Sequence, residues 1–203
     1  MKLAKGVGSI EEGGGCWMAL ADYYTRGALD WSDQPECVDP MIRELCIFFN
    51  DWCVDGEREE LIGPHLWAPI GTQSFDFELF VKRLDALVEF VQPNNFISGL
   101  STEELASEAI RAFKSHGYIY STAHALHVAW RACTVGKRAI GPARVGKVDF
   151  LDLILKLCAM GTTRELPAGA VSKEQALQVV CGVSCDAEDA HVKAEDTVPS
   201  DEG

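Results

Sequence analysis

The chain of 203 residues has no apolar run approaching the roughly eighteen residues that a membrane span requires. Its opening, MKLAKGVGSIEEGGG, lacks the continuous apolar stretch of a secretory signal. The chain therefore reads as soluble and intracellular, with the cytoplasm as its expected location. Basic residues are also few: 18 Lys and Arg stand against 31 Asp and Glu, for a net charge of −13. A surface this acidic repels phosphate, so nucleic acid is not expected as a partner. Alternating strand patterns are scarce, internal repeats are absent, and no low-complexity tract or long linker interrupts the body of the chain.

Eight cysteines would suggest a disulfide scaffold in a short exported chain. Without an export signal they read as reduced thiols, most of them small core residues. Charge is unevenly placed: residues 1–100 hold 17 acidic and 7 basic side chains, residues 101–185 hold 7 and 10, and residues 186–203 hold 7 and 1. From residue 184 onward apolar periodicity stops. The expected organisation is a globular domain over 1–183 and a disordered acidic tail over 184–203.

The body reads as helices with clear stops. Asp39-Pro40 places an N-cap before a proline at the first helical position, and Met41, Ile42, Leu45, Cys46, Phe48, Phe49, Trp52 and Cys53 follow at helical spacing. A stripe of Phe77, Phe80, Val81, Leu84, Leu87, Val88 and Val91 ends at Pro93-Asn94-Asn95. Ser101-x-x-Glu104 is a capping box whose helix runs toward the glycine stop at Gly117. Further helices are expected over about 121–133 and 147–160, with a short last one opening at Ser172-x-x-Gln175. Around Ile62–Ile70 a short extended piece is conceivable, but Pro64 and Pro69 exclude a central strand. The fold class is mainly α, a single irregular bundle of about seven or eight helices joined by short loops.

Four groupings bear on chemistry. In EEGGGCWMAL, a glycine run delivers Cys16 to a helix start, where unpaired N–H groups and the helix dipole favour a thiolate. The same position suits a small packing residue anchored by Trp17 and Leu20. A nucleophile would need a distant histidine base, from His65, His124 or His127, and an orienter from Asn50 or Asp51. The catalytic set this reading names is Cys16, His65 and Asp51. Next, SDQPECVDP presents Asp33, Glu36 and Asp39 from a proline-stiffened loop leading into a helix, a candidate partner-binding face whose spacing fits no calcium loop.

His124-x-x-His127 could aim two imidazoles at one ion, but His127 shares its helix face with Ala123 and Trp130, and no carboxylate within the helix completes a site. Cys181-x3-Cys185 with His191 is poor zinc spacing. GKRAIGPARVGK, residues 136–147, holds Lys137, Arg138, Arg144 and Lys147 without the Ser or Thr of a P-loop. No metal and no cofactor is expected.

Two resemblances add to this reading. Gly-Gly-Cys-Trp before a helical run resembles the nucleophile segment of papain-like and transglutaminase-like cysteine enzymes, which implies a cysteine hydrolase or transferase with Cys16 as nucleophile. Over about 70 N-terminal residues, the succession GGCWMALADYY, SDQPECVDPMIRELCIFFND and GPHLWAPIGT resembles a family of poorly characterised proteins from bacteria, actinobacteria especially, and their phages. Its S/T-D-x-P-E-C-V-x-P pattern leads a helix ending in Asn-Asp. This resemblance implies a mobile-element origin and a helical build, and for a phage-borne protein the host cytoplasm as location. The preferred function is then a non-catalytic accessory protein, regulatory or counter-defensive, that binds a host or phage protein. The cysteine enzyme is the alternative.

Overall fold

A computed structural model describes residues 2–6, 8, 14–26, 35, 37–92, 101–138 and 146–160. Within them the chain forms one irregular helical bundle. The helices are α1 (Trp17–Arg26), α2 (Pro40–Trp52), α3 (Glu57–Leu61), α4 (Phe77–Val91), α5 (Thr102–His116), α6 (Tyr118–Arg138) and α7 (Lys147–Ala159), with a 3₁₀ turn at Gly63–His65. The expected tail over 184–203 and the helix expected from Ser172 lie outside the described residues. No described helix is long and apolar enough to cross a membrane.

Local chemistry sets the helix starts. The Asp39 carboxylate accepts from the Met41 and Ile42 N–H groups, and Pro40, with no N–H to satisfy, takes the first position of α2. Asp76 does the same for α4 through the Leu79 N–H at 2.7 Å. At α5 the capping box is complete: the Ser101 hydroxyl accepts from the Glu104 N–H and the Glu104 carboxylate accepts from the Ser101 N–H. Gly117, at φ +84°, turns the chain directly from α5 into α6.

Long α6 packs against α5, α2 and α4, while α2 also meets α1 and α7. Small residues make this central position possible. Ala125, Val128, Ala129 and Ala132 are all buried at helical spacing and let neighbouring helices approach closely. One hydrophobic core takes buried residues from every α-helix except short α3, whose Leu61 packs against it. At its α2–α7 end Phe150 is surrounded by the rings of Phe48, Phe49, Trp52 and Phe90, with centroids 5.5, 6.0, 5.9 and 5.8 Å away.

Two-residue strands add what the sequence pattern did not suggest. β1 (Lys2–Leu3) lies parallel to β2 (Gly14–Gly15), and the Cys16 N–H continues the pairing onto the Gly6 carbonyl at 2.8 Å. Gly8 closes this turn at φ +72°. A Cβ there would stand 2.1 Å from the Gly14 oxygen, so only glycine fits.

Candidate functional site

The first candidate centre is Cys16. The thiol stands just ahead of α1, and its sulfur accepts from the Ala19 N–H at 3.3 Å. It is thus placed at the positive end of the helix dipole, as the glycine-led start predicts. Its side chain is enclosed, however, with 2% of the residue exposed. Asn50, from the last turn of α2, seals the helix start: its Oδ1 accepts from the Trp17 N–H at 3.2 Å while its Nδ2 donates to the Ala4 carbonyl at 2.9 Å. The Trp17 indole donates to the Leu66 carbonyl at 2.8 Å, tying α1 to the segment after the 3₁₀ turn.

Of the three residues in the predicted catalytic set, Cys16 is buried at the α1 start, Asp51 is exposed on α2 and His65 is half-buried in the 3₁₀ turn. Asn50 and Asp51 are consecutive on a helix, about 100° apart around its axis. Asn50 faces inward to the α1 start, and Asp51 is exposed and lines a different surface. His65 sits half-buried in the 3₁₀ turn, where its N–H donates to the Ile62 carbonyl.

The Cys46 thiol lies near Cys16 in the core. Burial pushes the Cys46 thiol well above its ordinary range, and the nearby Cys158, Cys16 and Cys133 sulfurs push it further. Burial also raises Cys158 to about 12. Cys46 and Cys158 are therefore protonated, packed thiols.

Of the candidate partner-binding carboxylates, Asp33 and Glu36 lie outside the described residues. Asp39 is described, and it faces inward with 1% exposed. Besides capping α2, it accepts from Arg83 Nη1 at 2.9 Å and from the Tyr118 hydroxyl at 3.0 Å, and its own N–H donates to Thr72 Oγ1 at 3.1 Å. Its oxygens are occupied internally, so Asp39 offers no carboxylate to a partner.

His124 is half-buried and His127 exposed on α6, and the described residues contain no group of three His, Cys, Asp or Glu side chains that could hold a metal. Residues 139–145 of the basic loop, and Cys181, Cys185 and His191, lie outside the described residues. Lys147 pairs with Glu57 and stands 5.9 Å over the Trp52 ring.

A groove between α2 and α6 is the feature that sequence reasoning missed. It encloses about 460 Å³ and is lined by Ile47, Phe48 and Trp52 of α2, Trp130 and Cys133 of α6, and the charged Lys5, Glu44 and Asp51. Trp130 is 69% exposed. A large aromatic ring held in water on a rigid helix is the kind of anchor that partner surfaces use. The available signal was that Trp130 shares a face with Ala123 and His127, and all three are exposed. Cys133 forms part of the floor at 3% exposure; burial, and next the Glu44 carboxylate, push its thiol up to about 12. The groove floor is thus an inert thiol beneath an aromatic and acidic rim.

Compared with known protein families, with characterised proteins and with solved structures, the chain matches none.

Proposed function

We propose that this is a non-catalytic accessory protein that acts by binding a protein partner through the α2–α6 groove. The observation that carries the reading is the exposed Trp130 ring on a rigid helix, beside an open groove whose other walls are Phe48 and Trp52. A net charge of −13 favours a protein over a nucleic acid as the ligand. The N-terminal resemblance to bacterial and phage proteins supports a role for a phage or other mobile element, regulatory or counter-defensive, in the host cytoplasm.

The alternative, a cysteine hydrolase or transferase, draws support from the dipole position of Cys16. Its burial, and the orientation of Asp51 away from it, weigh against that chemistry.

The test is affinity capture from extracts of the source cell with full-length protein and its Trp130→Ala variant, followed by titration of the purified partner. The expected result is a saturable complex that Trp130→Ala weakens about thirtyfold, the loss typical of a central aromatic anchor. Equal binding by both proteins would overturn the assignment of the groove. Turnover of a substrate abolished by Cys16→Ser would overturn the non-catalytic reading.

A further inference from the structure

Resting on the partner-binding reading, we infer that the α2–α6 groove takes an arginine side chain of the partner, its guanidinium stacked on Trp130 or Trp52 and paired with Asp51 and Glu44. The lining combines three aromatic rings, Phe48, Trp52 and Trp130, with two carboxylates and one ammonium, that of Lys5. A purely apolar occupant would desolvate two carboxylates against the single ammonium of Lys5. A planar cation meets both parts of the surface, because aromatic faces attract cations and a guanidinium forks onto a carboxylate while it stacks.

Among the described residues, the arginines nearest the groove in sequence leave this role open. Arg43 Nη2 approaches Glu44 Oε1 only to 3.7 Å, with the Glu44 side chain 44% exposed, and such pairs hold little energy. Arg131 is buried and turned toward Thr102, with Nη1 and Oγ1 3.5 Å apart. The Glu44 charge reaches the groove floor, where it adds to the raised affinity of the Cys133 thiol for its proton. Trp52 already shows the proposed chemistry within this chain: Lys147 lies over its ring while pairing with Glu57. Charge complementarity at the level of the whole molecule points the same way, since an acidic protein attracts a basic segment.

The experiment is an NMR titration of full-length protein carrying ¹⁵N-labelled tryptophan, with acetyl-tetra-arginine amide as probe and acetyl-tetra-lysine amide as comparison. Five indole N–H signals are followed. Saturable shifts are expected at the Trp52 and Trp130 signals, weaker with the lysine peptide and diminished by added salt. Trp130→Ala should weaken binding about three- to thirtyfold. Asp51→Asn with Glu44→Gln should weaken it about five- to tenfold. The double variant Glu59→Gln with Glu60→Gln, which changes net charge equally on the exposed side of α3, should leave affinity within about twofold.

Shifts spread evenly over all five indoles, or equal weakening by the two charge-neutralised variants, would overturn the inference as non-specific attraction. So would undiminished capture of a groove-binding partner by the Asp51→Asn, Glu44→Gln protein, a result that leaves the partner-binding reading standing. Loss of capture in Trp130→Ala with no response to either peptide would likewise reject arginine as the occupant while retaining the groove.

Discussion

Arg83 Nη1 and Asp39 Oδ2 are 2.9 Å apart, and each side chain is 2% exposed. Around this pair four segments meet. Asp39 caps α2 and receives the Tyr118 hydroxyl from the start of α6, while Arg83, from the middle of α4, donates through Nη2 to the Met160 carbonyl just after α7 at 3.1 Å. A buried ion pair contributes little beyond an apolar replacement of the same shape, yet removing one member strands the other. Arg83→Ala and Asp39→Ala should each destabilise the protein by about 3–5 kcal/mol in urea unfolding. Combining Asp39→Asn with Arg83→Met should cost clearly less than the sum of the single variants, because neither charge is left behind.

Stability should fall in alkali. Burial raises Cys133 and Cys158 to about 12, and Tyr118 is pushed above its ordinary range by burial and by the Asp39 carboxylate. For a group whose folded value is raised, the stabilisation is complete below the unfolded value and is lost as pH rises toward the folded one. The window for the thiols therefore opens near 9 and closes near 12, with a slope of about 1.4 kcal/mol per pH unit for each thiol. Urea midpoints measured under reductant from pH 8 to 11 should decline. Cys133→Ala and Cys158→Ala should each flatten the decline.

Asn50 holds the N-terminal strand to the start of α1. Asn50→Ala leaves the Trp17 N–H and the Ala4 carbonyl without their side-chain partner. About 1–3 kcal/mol of stability should be lost, with faster amide exchange at Trp17. The bond from Arg58 Nε to the Asn50 carbonyl at 2.9 Å involves only the backbone of residue 50, so α3 should keep its attachment in this variant.

Thiol reactivity separates packing from catalysis. In native protein at pH 7, iodoacetamide should modify partly buried Cys37 before Cys16, and Cys16 should react no faster than buried Cys46. Peptide mass spectrometry with and without urea reads this order. Rapid, selective modification of Cys16 would contradict its role as an enclosed helix-start residue.

Much of the helical plan was legible because its signals are local. Asp39-Pro40 and the Phe77 stripe mark α2 and α4 closely, and Ser101 with Gly117 frames α5. α6 begins three residues earlier than its periodicity suggested, since the chain turns at a single glycine and the Ser121 and Thr122 hydroxyls bond back to the Tyr118 carbonyl. The stretch around Ile62–Ile70, where an extended piece was conceivable, is a 3₁₀ turn at Gly63–His65 followed by turns, with Pro64 inside the 3₁₀ turn. β1 and β2, two residues each, are too short to carry a period. Site geometry was less legible. Whether Asn50 or Asp51 turns toward Cys16, and whether Asp39 faces water, depends on how α2 is rotated against α1 and α4. The groove arises only when Trp52 and Trp130, far apart in sequence, are brought to one surface by α2–α6 packing.

Site-specific cross-linking tests the central claim most directly. p-Benzoylphenylalanine placed at position 130, on the groove, is compared with the same group at position 82, on the exposed side of α4. Irradiation in the source cell should give one defined protein adduct from position 130 and none from position 82. Adducts from position 82 alone, or from neither position while the protein altered at position 130 still forms its complex, would contradict the assignment of partner binding to the α2–α6 groove.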